Sequence, residues 1–160
     1  MGHAKPFAFD PNYVPSHDIN QFQCGTPSVI SMSALDAALD VWQDVDMLQI
    51  RTKSETLADT FIALIKMNPC LHELTLCSPD VAQLRGSQLA FSHDAAFAIC
   101  QALIAKGVIA DFRAPNILRF GFTPLYTSFE DIWRAVAILV NIVESEQYKE
   151  PRFSITLKVT

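Results

Sequence analysis

The sequence predicts an α+β fold, with a small, mostly antiparallel sheet covered by helices on one face and preceded by an extended arm and a long helical stretch. Three observations carry that expectation. In Ser-Gln-Leu-Ala-Phe-Ser (87–92), Leu89 and Phe91 alternate with small or polar residues as in a half-buried strand. Apolar residues also recur at helical spacing, at Phe97, Cys100 and Ile104 and again from Phe129 to Val143. Four of the nine prolines (Pro6, Pro11, Pro15 and Pro27) fall within residues 1–28, which excludes a long helix or central strand there.

Residues 1–28 read as an extended arm. Phe7, Phe9, Tyr13 and Phe22 are more aromatic surface than a solvated tail needs, so the arm is expected to pack against something, a partner surface included. Residues 29–67 read as connecting helices. Ser31 or Ser33 caps the first, Leu35, Ala38, Leu39 and Trp42 line one face, a bend falls near 44–46, and Pro69 ends the run. Asp44 and Asp46 point apart on a helix and read as a solvated face, not a carboxylate pair. This stretch looks like a connector rather than part of the sheet.

Residues 68–146 read as the small α+β domain. Expected in order are a strand within 71–79, a turn at Pro79-Asp80 and a strand through Leu89 and Phe91. A helix follows, capped by Asp94, running through Ala105 and closed by Gly107. Strands Val108–Phe112 and Ile117–Phe122 come next, and a capping box from Thr127 to Glu130 opens the last helix. The tail, 147–160, alternates at Phe153, Ile155, Leu157 and Val159 and could pair as an edge strand.

Composition narrows the function. Half of the 160 residues are hydrophobic and 18% are charged, which suits one globular domain with a proper core. A net charge of −5 with no basic run argues against a nucleic-acid or anionic-membrane surface. No apolar stretch reaches the ~20 residues that span a bilayer, and the N-terminus has no apolar signal region, so a soluble cytoplasmic chain is expected. Cys24, Cys70, Cys77 and Cys100 show neither C-x-x-C nor zinc spacing and read as buried reduced thiols; with four scattered histidines, no metal site is expected. The five glycines form no phosphate loop, and no G-x-S-x-G elbow is present.

Two features remain. Cys24-Gly25-Thr26-Pro27 precedes a helix and puts a hydroxyl beside free N–H groups, which suits either a phosphate or an ordinary helix cap. Arg119 is the one charge in an apolar strand. It either pairs with an Asp or Glu inside the fold, which local sequence favours, or forks onto a ligand carboxylate.

These residues carry a resemblance. Residues 1–9, Ile-Asn-Gln-Phe-Gln-Cys-Gly-Thr-Pro-Ser (19–28), Arg-Gly-Ser-Gln-Leu (85–89) and Asn-Ile-Leu-Arg-Phe-Gly-Phe-Thr-Pro-Leu-Tyr-Thr-Ser-Phe (116–129) resemble the C-terminal part of kynureninases, bacterial type, over roughly residues 1–146. The resemblance implies the small domain of a fold-type I pyridoxal 5'-phosphate enzyme, a homodimer in tryptophan catabolism that hydrolyses L-kynurenine to anthranilate and L-alanine. It implies that Thr26 reaches the cofactor phosphate across the dimer interface. Gly25 would lie beside the substrate ring, and Arg119 would bind the substrate α-carboxylate. A Gly-Thr pair is similar to enzymes preferring L-kynurenine over 3-hydroxykynurenine. No lysine here has the family's Tyr-Lys-Tyr context, so the Schiff-base lysine is not in this chain and no catalytic residue is assigned. The expectation is the last two-fifths of an enzyme, inactive alone. Alternatives are a non-catalytic subunit docking on a separate large domain, or part of another class V enzyme of the same cofactor.

Overall fold

A computed structural model describes residues 2–155. The chain divides into two compact units, Met1–Val45 and Asp46–Thr160.

The first unit is a looped arm followed by a helix. His3 and Pro15 form an isolated antiparallel bridge, and Ala4 N–H donates to the Val14 carbonyl at 2.7 Å. Gly2 is buried at φ +63°, where an added Cβ would lie 2.4 Å from the Gln21 carbonyl oxygen; only glycine fits this turn. Asp18 caps a short 3-10 turn, Ile19–Phe22, and its carboxyl is held below the usual range, first by the Ser16 hydroxyl and then by the Asn20 N–H. Helix α1, Val29–Leu39, is capped by Ser28, not by Ser31 or Ser33, and is followed by a 3-10 turn, Asp40–Trp42. Serine 28 wins because it is the last extended residue and its side chain reaches the Ser31 N–H. A break in the helical run falls between Trp42 and Met47, where a break or bend was expected.

The second unit is helix α2 (Met47–Met67), strands β1 (Thr75–Leu76) and β2 (Gln88–Ser92), helix α3 (Ala96–Ala105), strands β3 (Asp111–Arg113) and β4 (Ile117–Gly121), and helix α4 (Phe129–Glu144). The four strands found among the described residues form one antiparallel sheet in the order β1-β2-β4-β3. Leu89, Phe91, Leu118 and Phe120 point to one face and meet buried residues of α2, α3 and α4. Phe61 of α2 stands against Phe91, Phe120 and Phe122, at centroid distances of 6.0, 4.6 and 5.5 Å. Helix α2 is therefore part of this core, whereas the sequence suggested a connector. The stretch 29–67 divides at the loop that ends with Asp46, whose carboxylate caps α2 through the Leu48 N–H.

Several boundaries shift for local reasons. The strand expected within 71–79 shrinks to two residues. Pro69 opens a 3-10 turn through Leu71, and the Ser78 hydroxyl takes the Ala90 N–H just past the paired residues. Asp94 does not cap α3; His93 Nδ1 accepts the Ala95 N–H at 2.9 Å instead. Gly107 does close α3, at φ +86°. The capping box lies one residue later than expected, Ser128 with Asp131, because Thr127 uses its hydroxyl to accept the Thr123 N–H and Glu130 pairs with Arg134. Ser128 holds the Asp131 carboxyl below its ordinary value, mainly through its backbone N–H. The tail forms two 3-10 turns, Gln147–Lys149 and Pro151–Phe153; the edge strand expected from the alternation at Phe153, Ile155, Leu157 and Val159 falls largely on 156–160, which lie outside the described residues.

Candidate functional site

The residues singled out in the sequence fall in both units. In the first, Gly25 and Thr26 lie between the Ile19–Phe22 turn and the N-terminus of α1. An added Cβ on Gly25 would meet nothing within 4 Å. The Thr26 side chain is exposed and makes no hydrogen bond among the described residues. It faces a cleft of about 530 Å³, also lined by His3, Ser16, Asp18 and Asn20. Ser28, not Thr26, does the capping, so the Thr26 hydroxyl is not consumed by the helix.

In the second unit, β4 places Arg119 on the sheet face opposite the core, because Leu118 and Phe120 point inward. Arg119 stands directly across from Asp111 on β3 and Ala90 on β2. Its Nε donates to Asp111 Oδ2 at 2.8 Å, and Nη2 donates to the same oxygen. Arg113 Nη2 lies 3.3 Å from that oxygen as well. Two guanidiniums thus share one carboxylate, which leaves this trio of side chains with a positive surplus. The structural pair favoured by local sequence is present. Nη1 of Arg119 has no partner among the described residues. Asp111 and Arg113 were missed in the sequence. Their signal was the hairpin register, which follows from counting back equally from the turn at Ala114–Asn116.

Behind this face, α2 braces two loops. Lys53 Nζ donates to the Pro124 carbonyl at 2.6 Å, and Arg51 donates to the Arg85 and Ala82 carbonyls at 2.7 and 3.1 Å. Arg85 is buried, bonded to Asp59 and to the carbonyls of Pro79 and Asp80, so the Arg-Gly-Ser-Gln stretch is an anchor within the fold. His93 is buried with Nε2 3.2 Å from Glu73 Oε2; because Nδ1 accepts the Ala95 N–H, the proton sits on Nε2 and faces Glu73.

The cysteines depart from expectation. All four are free, but Cys24 and Cys77 are exposed, and only Cys100 is fully buried. Burial, with Asp111 adding repulsion, pushes the Cys100 thiol up to about 11. Among the described residues no group of three or more His, Cys, Asp or Glu could hold a metal ion, and no helix is long and apolar enough to cross a membrane.

Comparison with known proteins supplies the context. Residues 50–139 match the family of kynureninase C-terminal domains. The chain is 43% identical over 160 residues to the kynureninase of Pseudomonas fluorescens. It is 45% identical over 159 residues to those of Burkholderia mallei and Burkholderia pseudomallei. These alignments cover 99–100% of this chain and 38% of each relative, so the chain spans well under half the length of the proteins it matches.

Proposed function

The chain belongs to the kynureninase family, and from that premise we propose that it supplies the C-terminal part of an enzyme hydrolysing L-kynurenine to anthranilate and L-alanine. The observation that carries this reading is identity of 43–45% to kynureninases along essentially the whole chain. In this reading Arg119 binds the substrate α-carboxylate, Gly25 leaves room beside the aromatic ring, and the chain works in a cytoplasmic homodimer in which Thr26 meets the cofactor phosphate from across the interface.

The cofactor implied is pyridoxal 5'-phosphate, which when bound supplies an electron sink. The residues of this chain fit one end of it. The Thr26 hydroxyl, exposed on the cleft and not used to cap α1, suits a hydrogen bond to a phosphate. For the carbonyl end no lysine of the expected Tyr-Lys-Tyr sequence context is present. Lys53 is engaged with the Pro124 carbonyl and Lys149 with Glu146. The work derived for this chain is therefore holding and orienting. Arg119 neutralises a carboxylate and fixes the substrate's angle on the sheet face, and the Thr26 hydroxyl offers an anion a hydrogen bond.

The experiment compares the chain alone with the chain joined to the preceding part of the Pseudomonas fluorescens kynureninase, each with pyridoxal phosphate and L-kynurenine. The joined protein is expected to release fluorescent anthranilate and the chain alone none. Turnover by the isolated chain would contradict the assignment of a partial site. A folded joined protein that binds cofactor but leaves kynurenine intact would remove the kynureninase reading.

A second reading is favoured by the first unit, whose helix and 3-10 turns bury no side chain. Phe7, Phe9, Ile19, Phe22 and Ile30 are each more than 70% exposed, which suits a subunit that docks on a separately made large domain. Mixing this chain with that large domain expressed on its own distinguishes the two: activity restored without a covalent link supports docking.

A further inference from the structure

Resting on the carboxylate-binding role proposed for Arg119, we propose that Asp111 is its positioning residue. Asp111 holds the Nε–Nη2 edge of the guanidinium and so presents the Nη1–Nη2 edge as a fork for a ligand carboxylate.

The geometry begins with the strand register. Asp111 and Arg119 are directly opposed on β3 and β4, so the carboxylate meets the guanidinium from the side. Both of its bonds end on one oxygen, Oδ2, and both come from the side-on edge. A guanidinium has five N–H donors in a rigid plane; two are used here, and the three that remain include the whole end-on pair. Across β2 the opposing residue is Ala90, too small to fill the space or to supply a competing acceptor. Arg119 is 27% exposed, whereas Arg113, which touches the same oxygen at 3.3 Å, is 63% exposed. The more buried guanidinium is thus oriented before any ligand arrives, and less ordering remains to be done on binding.

The inference predicts a sign that simple electrostatics does not. If Asp111 were only a neighbouring negative charge, its removal would strengthen carboxylate binding by Arg119. If it positions the guanidinium, its removal weakens binding, because a long side chain freed on a sheet face samples many orientations.

The test uses the full chain and two probes, L-kynurenine and benzoate, titrated while the Arg119 Nε–H resonance is followed by NMR and assigned by its loss in Arg119→Lys. Asp111→Asn and Asp111→Glu are compared with the parent. The expected result is a protected Nε–H in the parent, lost in Asp111→Asn along with roughly tenfold weaker binding of both probes, and largely restored in Asp111→Glu. Binding that is unchanged or tighter in Asp111→Asn overturns the inference and leaves the kynureninase reading standing, as does absence of any carboxylate binding at Arg119 in the parent chain while the joined enzyme turns over. Asp111-dependent binding of benzoate with none of kynurenine keeps the inference and counts against that reading. The protection measurement separates loss of positioning from loss of folding, because an unfolded variant loses the dispersed spectrum as a whole.

Discussion

At the residue scale, the question for each charged or nucleophilic group is what its surroundings leave it free to do. Arg119 keeps one edge of its fork occupied by Asp111 and one edge available, so an internal ion pair and a ligand contact are compatible on a single side chain. Cys100 is the opposite case. Its thiol is buried and its ordinary value near 9.0 is raised to about 11, so the reactive thiolate is suppressed at neutral and mildly alkaline pH. Alkylation at pH 8 is expected to label Cys24 and Cys77 promptly and Cys100 only after unfolding, and peptide mapping by mass spectrometry checks the order. The sign for stability follows from the same shift. A thiol whose folded value exceeds its unfolded value favours the fold while protonated. That contribution is whole below about pH 9 and is lost as pH rises toward 11. An unfolding midpoint that did not fall across that interval would count against so buried a site.

At the scale of elements, α2 decides the architecture of the second unit. Its N-terminal half braces the loops at Ala82–Arg85 and Pro124, and its C-terminal half puts Phe61 among three aromatic rings on the sheet. Phe61 is 1% exposed, so Phe61→Ala is expected to destabilise the unit by about 3–5 kcal/mol, read by urea denaturation. A loss below about 1 kcal/mol would mean that α2 only rests on the sheet. The β3–β4 hairpin is the other decisive element, because its register alone brings Asp111 to Arg119. Its importance is not visible from either strand separately.

At the scale of the whole molecule, what was legible in the sequence was what repeats locally. The helical stripes of α3 and α4, the alternation in β2, the apolar run of β4 and the closure at Gly107 all follow from local pattern and glycine chemistry. What was not legible depends on partners distant in sequence. The membership of α2 in the core rests on Phe91, Phe120 and Phe122, and the choice of Ser128 over Thr127 as cap rests on Thr127 being taken by Thr123. Exposure of Cys24 and Cys77 was equally hidden, since a small apolar residue carries no local sign of its face. For the candidate site, residue types left Arg119 open between an internal ion pair, which local sequence favours, and a ligand carboxylate, and Thr26 between a helix cap and a phosphate; only the resemblance assigned the two to one reaction.

The central claim is that this chain brings the carboxylate-binding arginine of a kynureninase. It is tested most directly by kcat/KM for L-kynurenine in the protein joined to the preceding part of the Pseudomonas fluorescens relative, with Arg119 intact and with Arg119→Gln. Loss of a bidentate, charge-assisted contact predicts a fall of roughly 100-fold or more, with cofactor binding retained. Equal values for the two proteins would contradict the claim and leave Arg119 as the partner of Asp111 alone.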